Sequence, residues 1–177
     1  MRITPVRGRH PSDIRTGCED SKFGFTMRDD FAYGCVKDVL AAPNVRLAGL
    51  HCHIGSQIFA LHSYPEAVEV MVELMARIEE GYGYRIEELD VGGGLGVNYD
   101  VPENEPIPNF ASLFSIVHNH LSVGDREVHF EFGRSIVAEC GELITKVLFN
   151  KTTATGRKLV IVDASMTELI RPALYGS

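Results

Sequence analysis

Four times along this chain a short, β-rich apolar run gives way to a glycine-bearing loop or a helix, and that alternation limits the possible folds more than any other feature. Residues 2–6, 45–54, 85–91 and 127–132 read as strands, and residues 27–42 and 110–121 as helices, the first stopping at Pro43-Asn44. The clearest helix follows the second strand. Ser63 and Glu66 have the spacing of a capping box, with Pro65 in the first turn. Ala67, Val68, Met71, Leu74, Met75 and Ile78 recur at helical period, while Glu69, Glu73, Arg77 and Glu80 take the other face. Such a stripe is a packing surface. The strands are apolar at most positions, as strands buried on both faces are. Strands alternating with helices imply an α/β fold built on a parallel sheet with crossover connections.

The C-terminal part has another character. Residues 141–153 and 158–163 read as two β segments joined by a Thr/Gly turn, followed by a helical turn over 166–170 and the string Arg171-Pro172-Ala173-Leu174-Tyr175-Gly176. The change in composition sets a domain boundary that divides 1–139 from 140–177, and the second stretch is too short to close on itself. Two loops stand out, a Gly/Pro/Asp-rich one over 7–24 and a Pro-rich one over 101–108.

Composition removes whole classes of function. The 177 residues carry 17 Lys plus Arg against 24 Asp plus Glu, a net charge of −7, which is no footprint for nucleic acid. No stretch approaches the ~18 consecutive apolar residues of a membrane helix, and the N-terminus lacks the apolar region of a secretory signal. Cys18, Cys35, Cys52 and Cys140 form no C-x-x-C pair and read as reduced thiols in a cytoplasmic protein, the first three as small buried hydrophobes.

In parallel α/β sheets ligands bind at the carboxyl ends of the strands, and the chemistry-bearing residues sit there. His51 and His53 alternate along one strand and share a face, with Cys52 opposite. The pair suits a metal ion, or one imidazole stacked on an aromatic cofactor and the other hydrogen-bonded, or two packed histidines. Gly55-Ser56 directly after them suits a phosphate oxygen and turns the reading away from metal. Gly92-Gly93-Gly94-x-Gly96 ends the next strand. Without Cβ atoms its amides approach an anion closely, although a tight turn needing positive φ would use the same residues. Its spacing is neither a P-loop nor a dinucleotide fingerprint. Glu131 ends the fourth strand and Arg134 lies in the loop after it. The carboxylate suits a protonated ring nitrogen and the guanidinium a phosphate or carboxylate, with a simple ion pair as the plainer alternative. Arg171 and Tyr175, four apart, suit one acidic ligand or a structural role. His10, His62, His118, His120 and His129 read as surface or packing residues. Together a stacking histidine, a serine and glycines for phosphate, a glutamate for a ring nitrogen and an arginine fit pyridoxal 5'-phosphate better than a metal or a nucleotide.

These residues resemble a known family. Leu50-His51-Cys52-His53-Ile54-Gly55-Ser56-Gln57, Leu89-Asp90-Val91-Gly92-Gly93-Gly94-Leu95-Gly96, Glu131-Phe132-Gly133-Arg134-Ser135 and Val162-Asp163-Ala164-Ser165-Met166 are similar to motifs of the diaminopimelate branch of the pyridoxal-dependent, alanine-racemase-like decarboxylases for ornithine, arginine and diaminopimelate. Thr16-Gly17 and Ser21-Lys22-Phe23-Gly24-Phe25 match as well, and the motifs keep family order over nearly the whole chain. The resemblance implies that His53 stacks on the pyridine ring, that Ser56, Gly92, Gly93 and Gly94 hold the phosphate, and that Glu131 bonds the pyridine nitrogen. It implies that Gly133 and Arg134 complete the phosphate and substrate end, that Arg2 reaches the phenolic side, and that Arg171 and Tyr175 bind the distal end of a diaminopimelate-like substrate. The implied reaction is decarboxylation of meso-diaminopimelate to L-lysine in a homodimer, with no nucleic-acid or membrane partner.

The resemblance also implies that the chain holds strands five to eight of a (β/α)8 barrel and the opening of a β-domain. The family's Schiff-base lysine and its C-terminal cysteine motif match nothing here: Lys22, Lys37, Lys146, Lys151 and Lys158 stand in other contexts. The isolated chain is therefore expected to be inactive and to bind the cofactor weakly. Phe132 stands where the family has proline, a change that bears on Arg134. Alternatives are a non-catalytic paralogue acting as a binding partner, a decarboxylase of another basic amino acid, and a metal-dependent hydrolase using His51 and His53.

Overall fold

A computed structural model of the chain describes residues 1–5, 22–101, 108–120 and 124–175. The expectations for Val6, His10, Thr16-Gly17, Cys18, Ser21, Leu121, Gly176 and most of the Pro-rich loop lie outside the described residues. The chain divides into two compact units, Met1–Glu139 and Cys140–Ser177.

The first unit is α/β with parallel strands. β1 (Ile3–Thr4) pairs with β2 (Phe25–Thr26), Ile3 opposite Phe25. A 3-10 turn over Arg28–Asp30 leads into α1 (Phe31–Ala41). β3 (Gly49–His51), α2 (Ser63–Tyr82), β4 (Glu88–Asp90), α3 (Phe110–His120), β5 (Glu127–His129) and the one-turn α4 (Arg134–Val137) follow. β3, β4 and β5 form one parallel sheet in that order, in register at Gly49, Glu88 and Glu127, at Leu50, Leu89 and Val128, and at His51, Asp90 and His129. A parallel bridge between Arg2 and His51 joins β1 to it, with the His51 amide donating to the Met1 carbonyl at 2.9 Å.

This register corrects the expectation of strands apolar on both faces. Leu50 and Leu89 are 1% and 0% exposed and share one core with Met71, Leu74 and Ile78 of α2. Each such side chain contributes roughly 1.5–3 kcal/mol by leaving water. The alternate positions, His51, Glu88, Asp90, Glu127 and His129, are polar and only partly covered. They pair with one another: His129 Nε2 lies 3.5 Å from Glu127 and 3.9 Å from Glu88. The sheet therefore has one greasy face for the helices and one charged face.

Element ends differ from the sequence reading for local reasons. The strands are shorter, because beyond the ladder the chain turns into its glycine loops. β2 falls between the expected loop and helix, where no element was assigned, drawn into pairing by the Phe25 amide donating to the Arg2 carbonyl at 2.9 Å. Asp29 and Asp30 have φ of 51° and 59°, so the α-helix starts at Phe31 and not at Met27. The capping box does not form: Ser63 is already helical and His62 occupies the cap position, without a side-chain cap bond. The stripe on α2 is buried as its period implies, and Tyr64 joins it at 1% exposure. Its polar face is tied to neighbours by Arg77 to Asp30 at 2.9 Å and Glu69 to His120 at 2.9 Å. At the amino ends of β4 and β5, a cleft of about 380 Å³ is lined by Arg85, Glu87, Glu88, Asp125, Arg126 and Glu127. Arg85 pairs there with Asp125, so the far end of the sheet carries compensated charge.

The second unit is a hairpin with a short helix. β6 (Val147–Thr152) pairs antiparallel with β7 (Lys158–Val162), Asn150 opposite Val160. The Thr153 amide donates to the Arg157 carbonyl at 2.9 Å and closes the turn. Over 166–170 the chain makes only a turn, with the Glu168 and Leu169 amides sharing the Ser165 carbonyl. The helix proper, α5 (Arg171–Tyr175), begins at Arg171. Among the described residues no helix is long and apolar enough to cross a membrane.

Candidate functional site

The site grows out of the register at the carboxyl ends of β3, β4 and β5. His51 and Asp90 are paired residues on adjacent strands, so both side chains leave the same face. Glu131 lies two residues past His129, the partner of Asp90, and returns to that face. Ladder-like bonds continue beyond the strands: Cys52 N to Asp90 O at 2.9 Å, Val91 N to His129 O at 3.0 Å and Glu131 N to Gly92 O at 2.9 Å. The three strand ends are thereby held together. His51 Nε2 comes 3.2 Å from Glu131 Oε2, and with Asp90 the three ligand-type atoms lie within 4.8 Å of one another. Cys52, on the opposite side, is 1% exposed, and burial pushes its thiol up to about 12.

His53 takes a different partner. The Gly93 amide donates to His53 Nδ1 at 3.3 Å. A ring nitrogen that accepts has no proton, so the imidazole is neutral with its hydrogen on Nε2. Burial and then the positive charge of Arg2 hold its pKa below the ordinary histidine value, against the opposing pull of Glu131. Arg2 itself lies with its guanidinium 4.6 Å from the centre of the Phe23 ring. The two histidines of the H-x-H string thus do not converge on one ion. One faces carboxylates and the other a backbone amide.

The glycine cluster is required by space. Gly92 and Gly94 have φ of +72° and +97°, and a Cβ on Gly93 or Gly94 would overlap the carbonyl oxygen of Glu131 or Gly55. Asp90 Oδ1 accepts the Gly92 amide at 2.8 Å, and the buried Tyr64 hydroxyl donates to the Gly93 carbonyl at 3.1 Å. The loop that carries Ser56 is sewn to this cluster. Ile58 N donates to Gly94 O at 2.9 Å, Gly96 N to Ile58 O at 3.0 Å, and Gln57 exchanges two bonds with the Val97 backbone at 3.0 and 2.9 Å. Ser56 is exposed beside it.

Past Glu131 the chain enters an aromatic cluster. The Phe132 ring is edge-on to Phe110 at 4.9 Å and stacked on Phe130 at 5.2 Å. Gly133 caps α4 and its carbonyl accepts the Ile136 amide at 3.0 Å. Arg134 is the first residue of that helix, not a loop residue as expected; the turn forms because Ala138 N reaches Arg134 O at 2.8 Å. Arg171 and Tyr175 are the first and last residues of α5 and belong to the second unit. Lys22 lies 5.2 Å from the centre of the Phe23 ring.

Sequence reading passed over three contributors, Asp90, Tyr64 and Gln57, which hold the glycine and serine loops; His51 was singled out, but without Glu131 as its partner. Asp90 two residues before a glycine cluster is a recognisable turn signal. Tyr64 carried none, since its partner lies on another element.

Residues 1–138 match the family described as the pyridoxal-dependent decarboxylase, pyridoxal binding domain. The diaminopimelate decarboxylase of Bacteroides thetaiotaomicron is 41% identical over 178 residues, covering 99% of this chain and 45% of that protein. The diaminopimelate decarboxylase of Aquifex aeolicus is 38% identical over 171 residues, covering 95% of this chain and 38% of its own length. Among solved structures, diaminopimelate decarboxylase from M. jannaschii superposes with a TM-score of 0.86 at 33% identity, over 99% of this chain and 41% of that one. The Helicobacter pylori diaminopimelate decarboxylase complexed with L-lysine gives 0.79 at 35% identity, over 99% and 43%. The chain thus spans less than half the length of these relatives.

Proposed function

The chain belongs to the pyridoxal-dependent decarboxylase family, through its pyridoxal-binding domain, and from that premise we propose that it forms the ring- and phosphate-binding part of an enzyme that decarboxylates meso-diaminopimelate to L-lysine. In this reading the first unit supplies consecutive strand–helix rounds of a (β/α)8 barrel and the second unit opens a β-domain. The observation that carries it is the convergence of Glu131, His53 and the glycine cluster at the carboxyl ends of one parallel sheet.

The residues present fit pyridoxal 5'-phosphate. Gly93 and Gly94 leave no room for a Cβ, because they pack directly against the Glu131 and Gly55 carbonyls and so draw the three strand-end loops together. His53 offers a neutral, half-buried ring suited to stacking. Glu131 is a half-exposed carboxylate with one oxygen on His51, able to take a ring N–H on the other. When bound, the cofactor supplies an electron sink for the charge left on the α-carbon as carbon dioxide departs. The chain's own part is to hold that ring and keep its nitrogen protonated through Glu131. Ser56 and the Gly94 amide take the phosphate, whereas the Gly92 and Gly93 amides, expected to share it, already donate to Asp90 and His53. Gly133 and Arg134 close the phosphate and substrate end, and Arg2 stands on the phenolic side.

A chimera tests the activity and the substrate together. Residues 1–177 replace the matching segment of the Bacteroides thetaiotaomicron relative, and release of carbon dioxide from carboxyl-labelled diaminopimelate is followed. Turnover of diaminopimelate over ornithine, lowered at least tenfold by Glu131→Gln, is expected. A folded chimera that binds the cofactor and prefers ornithine would overturn the substrate, and one in which Glu131→Gln changes nothing would overturn the site.

A further inference from the structure

His51 touches no part of the cofactor directly, and its surroundings give it another role. Its backbone is fixed twice, by the Met1 carbonyl on one side and by the β4 ladder on the other. Its side chain is only 23% exposed, whereas the Glu131 carboxylate it meets at 3.2 Å is 52% exposed. A glutamate that exposed samples several rotamers unless something holds it, and ordering it at the moment of binding would weaken a ligand. We propose that His51 is a positioning residue for Glu131: its Nε2–H donates to Oε2 and holds the carboxylate in place, leaving Oε1 for the N–H of a protonated heteroaromatic ring. Asp90, paired with His51 across the ladder, is the second carboxylate beside the imidazole. Asp90 lies between the other two in strand order, and the ligand-type atoms of Asp90, His51 and Glu131 form one cluster within 4.8 Å. His53 is outside that cluster, because its Nδ1 is already engaged by Gly93.

The inference rests on the cofactor reading, and a pair of probes separates the two. Pyridoxamine 5'-phosphate carries the ring nitrogen and needs no lysine to bind, and its 1-deaza analogue has the same shape and phosphate without that nitrogen. Affinities of both for the full chain are measured by calorimetry in wild type, His51→Leu and His51→Gln. Wild type should prefer the nitrogen-bearing probe. His51→Leu should lose about 10- to 150-fold for that probe and nothing for the deaza analogue, as the loss of one hydrogen bond to a charged group implies. His51→Gln, which restores a donor, should recover most of the preference. A wild-type chain without any preference would overturn the cofactor reading and this inference with it. A wild-type preference that His51→Leu leaves intact would overturn the positioning role alone. If His51→Leu loses both probes by unfolding, His51→Ala is read in its place: loss of the preference with deaza binding intact supports the role, and a retained preference overturns it.

Discussion

Tyr64 donates its phenol O–H to the carbonyl oxygen of Gly93 at 3.1 Å, from a ring that is 1% exposed. A residue in the first turn of α2 thereby fixes the loop at the end of β4, and burial pushes its phenol well above the usual tyrosine range. Tyr64→Phe keeps the packing and leaves a buried carbonyl without its donor. A loss of about 1–3 kcal/mol in urea unfolding is expected. An unchanged midpoint would show that the carbonyl finds another partner.

Two glycines should respond in opposite directions. Gly93→Ala forces a methyl into the Glu131 carbonyl and should destabilise the first unit by about 2–4 kcal/mol. Gly34 sits inside α1 with nothing within 4 Å of a Cβ position. Gly34→Ala should stabilise by about 0.5–1 kcal/mol, since the helix then gives up less backbone entropy on folding. Thermal melts of both variants against wild type check the pair.

The lowered pKa of His53 makes stability depend on pH. The folded chain keeps this imidazole neutral, held so by burial first and Arg2 second. The unfolded chain protonates it near 6.5, so below that pH the unfolded state binds more protons. The contribution is complete above about 6.5 and fades as the pH falls toward the lower folded value. Urea midpoints at pH 7.5 and pH 5 should therefore differ more in wild type than in His53→Gln. Equal differences would contradict a neutral, half-buried His53.

Cys52 should be inert while the chain is folded. Its thiol is buried and pushed up to about 12, so at pH 8 only about one molecule in ten thousand carries the reactive thiolate. Peptide mapping after iodoacetamide should find Cys52 unmodified in buffer and modified in urea. Modification in buffer would mean that the strand opens.

Much of the fold was legible because it depends on short-range pattern. The α2 stripe and the glycine-terminated strands carry their own periodicity and stop signals, and parallel pairing follows from the alternation. Features decided by distant residues were not legible. Phe25–Thr26 is a strand only because Arg2 accepts its amide hydrogen bond. The polar face of β3 to β5 was hidden because each strand shows only one or two such residues, and their meaning appears when the register aligns them. The same holds within the site. His53, the glycine cluster and Glu131 stand out as strand-end residues, whereas the contact of His51 with Glu131 spans 80 residues of sequence. The missing capping bond at Ser63 shows the reverse case, a correct local spacing that the chain does not use.

The central claim is that the carboxyl ends of β3, β4 and β5 hold a pyridoxal phosphate ring through His53, the glycine loop and Glu131. Calorimetric titration of the chain with pyridoxal 5'-phosphate at pH 7.5 tests it most directly. Saturable binding of one molecule per chain is expected, weakened at least tenfold by Glu131→Gln and by His53→Ala. Absence of saturable binding by the folded chain, or binding that neither substitution weakens, would contradict the claim.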